Sequence, residues 1–570
     1  MRPLAYVTIA ILLLGAAYPQ SPEPRSTFEV ADVHVAPLVA NRPGFGLMGA
    51  LHGSRYELKS ATMVNLITSA YGVDDDKVLG GPTWLEMDRF DVIAKAPANT
   101  APETLKLMLQ SLLADRFKLV AHQESKPLPA YALRVGKHLL IKPADGSEET
   151  GCKQSLQGLP NGPTDGPIDI SSLSMLLSCH NITMTAFMDR VPIPRQGPGG
   201  VSKPLVDQTE LKGGWNFDFK FTLGLPDDTE PISTELEKQL GLKLDSVMIP
   251  LPVVQVASVN QKPIPNGPEV AKAFPPLPTE FDVAEIKPSQ AGSDGGPIFL
   301  NGGMVVATKG GGGRNGGGRG NPVQNGRVNL QGYTLKNLIK LAWDINLNSD
   351  DKLAGVPKFA DADKYDVIAK VPAGAADAFS DIDAVKPLLR ALLIDRFKMT
   401  VHTEDRPVPT FVLSAVKPKL KPADPAGRTK FYEGAAPDAK DPRTANPALG
   451  RLVTCQNITM AQFALLLNGM APGYIQNQPV LNETGLEGAW DFTLNFSGAG
   501  MVGGGRGVMI FRSGGGDAGP GGGANSASDP GGGLSLNDAL TKQLGLKLET
   551  LKRPAPVVVI DRMEQKPTDN

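Results

Sequence analysis

The chain has 570 residues, with 57 Lys and Arg against 59 Asp and Glu, so its formal charge is −2 and nothing in the balance favours a polyanionic partner. Its 63 Gly and 50 Pro make up about a fifth of all residues, where ~12% is usual. Spread evenly, that excess would suggest disorder; gathered in islands, it marks loops and linkers between packed modules.

In chain order, Arg2 and the apolar run at residues 4–14, followed by Gly15-Ala16-Ala17, predict an export signal occupying residues 1–17. The run is too short to span a bilayer, and no later segment is apolar enough to do so. The sequence thus predicts a periplasmic or extracellular protein with no integral membrane segment after signal cleavage. Residues 28–35 alternate with period two and predict a strand. Residues 62–71 place Met63, Leu66, Ile67 and Ala70 on one helical face behind Thr62 as N-cap. A strand at 90–94 and a helix at 102–117 follow. Residues 118–123 and 130–135, separated by Lys126-Pro127-Leu128-Pro129, read as a hairpin-like strand pair. The second half repeats this grammar: a helix after Thr183, strands at 205–206 and 215–221, a helix at 233–240 stopped by Gly241, and a closing strand at 251–259.

The whole series then returns. RFDVIAKAP at 89–97 reappears as KYDVIAKVP at 364–372, and LLADRFKLVAH at 112–122 as LLIDRFKMTVH at 392–402. CHNITM at 179–184 matches CQNITM at 455–460, and KQLGLKL at 238–244 matches the same letters at 542–548. The offset grows from 253 to 304 along the copies, so the second carries the insertions. The predicted organisation is a first repeat at 28–262 (subdomains about 28–145 and 165–262) and a second at 281–567 (subdomains about 281–424 and 450–567). The fold class is α+β, each copy holding two small sheet-plus-helix subdomains patterned like the short N-terminal modules of secretins and TonB-dependent receptors. A Pro-rich linker at 263–280 is expected to act as a stiff spacer between the copies. Glycine-dense stretches at 309–320 and 498–533 are expected to be surface loops. Arg314, Arg319 and Arg506 among those glycines have an RGG flavour, but the first copy lacks the loops, and no nucleic-acid partner is assigned.

The opening strand, the GGPTWLEMDRFDV and LLADRFKLVAH stretches, CHNITM, VDQTELKGGWNFDF and QLGLKLD together resemble an exported soil-bacterial family of unknown function. That family is abundant in acidobacteria and sometimes fused to BlaR-type sensor peptidases. The resemblance covers both copies, with Phe359 standing where the first copy has Trp84. It implies export and tandem α+β modules, and carries no catalytic residue with it.

Candidate chemistry is sparse. Cys152 and Cys179 would close a disulfide in an oxidising compartment. Phe431 falls where the second copy would need the partner of Cys455, which is expected to be a buried thiol. Of six histidines only His122 and His402 recur, each two residues before a glutamate, Glu124 or Glu404. On a strand that spacing puts imidazole and carboxylate on one face, a geometry open to acid–base or metal work. Each copy supplies a single recurrent His where a catalytic zinc takes three ligands, so no metal, cofactor or catalytic residue is assigned, and the His/Glu pairs stand as weak candidates. Asp115-Arg116 and Asp395-Arg396 suit an ion pair or a loop clamp, and Trp215 and Trp490 suit the core. Asn181-Ile182-Thr183 and Asn457-Ile458-Thr459 are expected to cap helices. The sequence favours a non-catalytic binding protein whose partner is another envelope or secreted protein. An extracellular hydrolase, metal-assisted or not, and an accessory sensor of an envelope-stress peptidase are the rivals.

Overall fold

A computed structural model describes residues 26–36, 49–146, 149–157, 174–190, 203–222, 230–289, 298–300, 303–305, 322–346, 350–379, 382–435, 451–475, 478–497 and 534–568. The expected signal at 1–17 and both glycine-dense stretches lie outside the described residues. The chain is α+β and consists of two tandem copies.

The first copy is itself two units with one element order. The first unit runs β1 (Val30–Val35), β2 (Ala50–His52), β3 (Arg55–Thr62), α1 (Met63–Tyr71), β4 (Val78–Gly80), β5 (Arg89–Lys95), α2 (Pro102–Phe117) and β6 (Val120–Val135). The second runs β7 (Lys142–Pro143), β8 (Gly151–Gln157), β9 (Ser174–Ile182), α3 (Met184–Met188), β10 (Leu205–Asp207), β11 (Trp215–Thr222), α4 (Glu230–Leu240) and β12 (Leu242–Ser258). Each unit forms its own antiparallel sheet, in the equivalent orders β1-β5-β3-β2 and β7-β11-β9-β8. The second copy repeats these sheets and adds a small hairpin of Ile298–Leu300 with Gly303–Val305.

One local device recurs in all four units. A residue in left-handed conformation interrupts the strand before the helix: Ser60 (φ 53), Asn181 (φ 46), Gly332 (φ 68) and Asn457 (φ 51). Its backbone N–H donates to a side-chain oxygen on the neighbouring strand, in turn that of Asp91 at 2.6 Å, Asn216 at 2.7 Å, Asp366 at 2.9 Å and Asp491 at 2.8 Å. The ladder slips at each of these places, the signature of a β-bulge. Two residues on, Thr62, Thr183, Thr334 and Thr459 cap the helix by accepting from the N–H three residues ahead. In α1 and in Met460–Met470 the side chains of Asn65 and Gln462 return the bond, completing capping boxes.

The two units of a copy are joined by exchange of their last strands. The hairpin break expected at 126–129 does not form: β6 is one continuous strand of 16 residues, paired antiparallel with β12 along its whole length. Pro127 stands directly opposite Pro250, and Pro407 opposite Pro554 in the second copy. Two prolines can face each other only at a pair that exchanges no hydrogen bonds, so their nitrogens point out of the ladder and the missing N–H groups cost it nothing. Pro129 and Pro252 share that parity. The edges of the ribbon are therefore poor templates for an incoming strand.

Pro127 follows the left-handed Lys118 at the distance at which Pro250 follows the left-handed Gly241, so an approximate twofold axis passes between the two prolines. Around it the central sheet has the order β10-β6-β12-β4, with β10 and β4 parallel to the strand of the other unit. Leu119 of β6's approach packs in the first core, whereas Leu133 near its end is fully buried in the second. Reciprocally, Leu242 and Leu244 lie in the second core and Val254 and Val256 in the first. In the second copy Leu413 and Val558 make the same crossings.

The linker, expected as a stiff spacer between the copies, is docked on the first of them. It contains a short helix, α5 (Pro268–Ala273), and docks on the first copy through Asn266, which accepts from the Val33 N–H at 3.1 Å and donates to Asp32. Arg116 completes the clamp, donating to the carbonyls of Ile264 and Ala31. Its counterpart Arg396 reaches the carbonyl of Ala284, the equivalent of Ala31.

Candidate functional site

Strand alternation on the central ribbon sorts its side chains. Ala121, Leu133, Leu244, Val254 and Val256 point to the face on which both cores sit. His122 and Glu124 belong to the opposite, outer face. His122 is exposed, and Glu124 pairs with Lys126 at 2.9 Å. His402 occupies the same place in the second copy, 47% exposed, with its Nδ1 at 2.8 Å from Asp561 and its Nε2 at 3.8 Å from Glu404. Glu404 is in turn held by Arg406. The Asp561 hydrogen bond pushes the imidazole pKa up, and the Arg406 hydrogen bond holds the Glu404 carboxyl below its ordinary value. Ala257 stands in the first copy where the second has Asp561, so the His–Asp pair is not duplicated. Each histidine stays on its own ribbon, and the structure brings neither to the other. Among the described residues no group of three or more His, Cys, Asp and Glu side chains could hold a metal ion.

Cys152 and Cys179 face each other across β8 and β9, directly in register, with their sulfurs 2.04 Å apart. Phe431 is in register with Cys455 at the same place in the second copy. Cys455 is fully buried in its core, and burial pushes its thiol pKa far up, which leaves it protonated and unreactive. Trp215 and Trp490 pack against their units' cores.

The inner face of the ribbon carries a feature that residue-type searching misses. Between the two cores of the first copy, Met248 is 64% exposed, flanked on the same face by Pro127, Pro129, Pro250 and Pro252. Lys552 takes the place of Met248 in the second copy, where Asp405 also replaces Ser125, so that floor is charged. The signal in the sequence is the Pro-x-Pro pair on each strand, legible only once the two strands are known to be partners.

No helix among the described residues is long and apolar enough to cross a membrane. No curated protein and no solved structure matches the chain. A family model matches at residues 64–259 and again at 336–563, one match per copy and together well over half of the chain. The chain therefore belongs to the family described as "Protein of unknown function (DUF3738)", which it contains in two copies.

Proposed function

We propose that the protein is exported and acts outside the cytoplasm as a non-catalytic binding protein for another envelope or secreted protein. The observation that carries this reading is the exposed Met248 on its proline-lined floor between the two cores of the first copy. Met248 and the prolines beside it form one contiguous apolar surface, which supports a protein contact more than a lone exposed side chain would, and methionine adapts its shape to a partner. The outward proline nitrogens turn such contact toward side-chain packing rather than strand addition. Export is supported by Arg2, the apolar run after it and Gly15-Ala16-Ala17, and by a cysteine pair suited to an oxidising compartment.

Affinity capture from the native envelope and medium, run in parallel with the parent chain and with Met248→Asp, tests the proposal. A protein retained by the parent and lost with the variant is expected; identical capture by both would overturn it. The His402–Asp561 bond favours one other reading, an extracellular hydrolase in which Asp561 orients the ring and leaves Nε2 to act on substrate. Hydrolase screening of the parent against His402→Gln separates the two. The role of an accessory sensor to an envelope peptidase is a special case of the binding reading, with that peptidase as partner.

A further inference from the structure

Two contacts between the copies stand out among the described residues. At the first, Arg428, in the turn before the Lys430–Glu433 strand of the second copy, reaches into the first copy. Its Nη1 donates to the carbonyls of Val78 at 2.5 Å and Gly80 at 3.4 Å on the edge strand β4, and its Nη2 pairs with Glu86 at 2.5 Å. The Arg428 side chain is only 10% exposed. Asp75 of the first copy adds a negative charge near the guanidinium, and Lys430 of the second a positive charge near the Glu86 carboxylate. At the second place, Gly53 in the β2–β3 turn lies against Asp377, so close that a Cβ on Gly53 would sit 2.2 Å from the carboxylate oxygen.

From this geometry we infer that Arg428 keys an interface between the copies and holds them as one body of fixed relative orientation. A guanidinium fork is suited to such a joint, because one arm takes backbone carbonyls that any sequence would offer and the other selects the Glu86 carboxylate. Among the described residues the equivalent surfaces do not repeat the key. The same two surfaces recur at 145–146 and 149–151 of the first copy and 353–362 of the second. There Glu149 stands in the place of Arg428, and Asp361, paired with Lys336 at 3.0 Å, stands in the place of Glu86. Two carboxylates would meet, so the joint does not propagate from one chain to the next.

The inference concerns how the copies are held and is independent of what they bind. Its test is a distance measurement by pulsed electron resonance on the full chain, with spin labels on Lys137→Cys and Lys552→Cys, both exposed positions on different copies. The buried Cys455 and the bonded Cys152 and Cys179 leave those two as the accessible thiols. A single narrow distance peak is expected. Arg428→Glu should lose it, and Glu86→Arg added to that variant should recover it in part. Arg428→Lys, which keeps the charge and gives up the fork, should broaden the peak and decides the matter if the charge reversal does not fold. A broad distribution in the parent, or an unchanged peak in Arg428→Glu and Arg428→Lys, would overturn the inference.

Discussion

Leu133 offers a direct test of the strand exchange. It lies on β6, the last strand of the first unit, yet its side chain is 0% exposed in the core of the second, beside Leu177, Phe219 and Leu236. Leu133→Ala removes a fully buried isobutyl group and leaves a cavity, at a cost of about 2–5 kcal/mol. A central value of about 3 kcal/mol corresponds to roughly 100-fold faster exchange of amides that open with that core. Hydrogen-exchange mass spectrometry should find the acceleration in peptides covering 174–182 and 232–244, far from Leu133 in sequence. Peptides covering 56–67 and 105–117, from the unit to which β6 belongs, should keep their protection. Val254→Ala, from β12 but buried in the first core, should produce the mirror pattern. Exchange that rises mainly at 56–67 and 105–117 in Leu133→Ala would refute the exchanged-strand account.

Four further outcomes are expected. Thr62→Ala and Thr459→Ala, each breaking a capping box, should cost about 1 kcal/mol of stability in chemical denaturation, with Thr→Ser restoring most of it. Peptide mapping without reductant should join Cys152 to Cys179, and free thiols at both would refute the pairing. For a sequence separation of 27 residues, reduction should destabilise by about 3–4 kcal/mol on the chain-entropy account. The His402 ring should titrate above its ordinary pKa in an NMR titration, and Asp561→Asn should bring it down. Since the folded pKa is the higher one, the stability from this pair is fully present below the unfolded pKa and is lost as pH rises through the folded value.

The duplication and the amphipathic helices of the cores are legible in the sequence, because they rest on local patterns: Met63, Leu66, Ile67 and Ala70 line one face of α1 and are buried in its core. The long strands are not legible. Proline reads as a breaker unless its nitrogen is known to face out of the ladder, and that depends on Pro250, far along the chain from Pro127. The fourfold bulge-and-cap device hides for a related reason. Its left-handed position accepts Ser, Asn or Gly, and its bulge partner accepts Asp or Asn, so only the Thr and the geometry are constant. Short strands such as β2 and β10 carry too few residues to show a period, and their pairing is set by β3 and β6. At the candidate sites, the spacing of His402 and Glu404 is visible in the sequence, whereas Asp561 comes from β12's counterpart in the second copy, Leu546–Arg562, and no local reading connects it.

The exchanged strands also constrain how the protein is made. Val78 of β4 pairs with Val254, so as the chain emerges from the N-terminus the first core lacks one wall until nearly the whole copy has been synthesised. The third core waits likewise for Val558 and Ile560. Neither unit of a copy can close before its neighbour, so closure is a late and mutual event governed by contacts of large sequence separation. Deleting the last strand, Leu546–Arg562, would strip apolar groups from two cores at once and is expected to unmake the second copy as a whole.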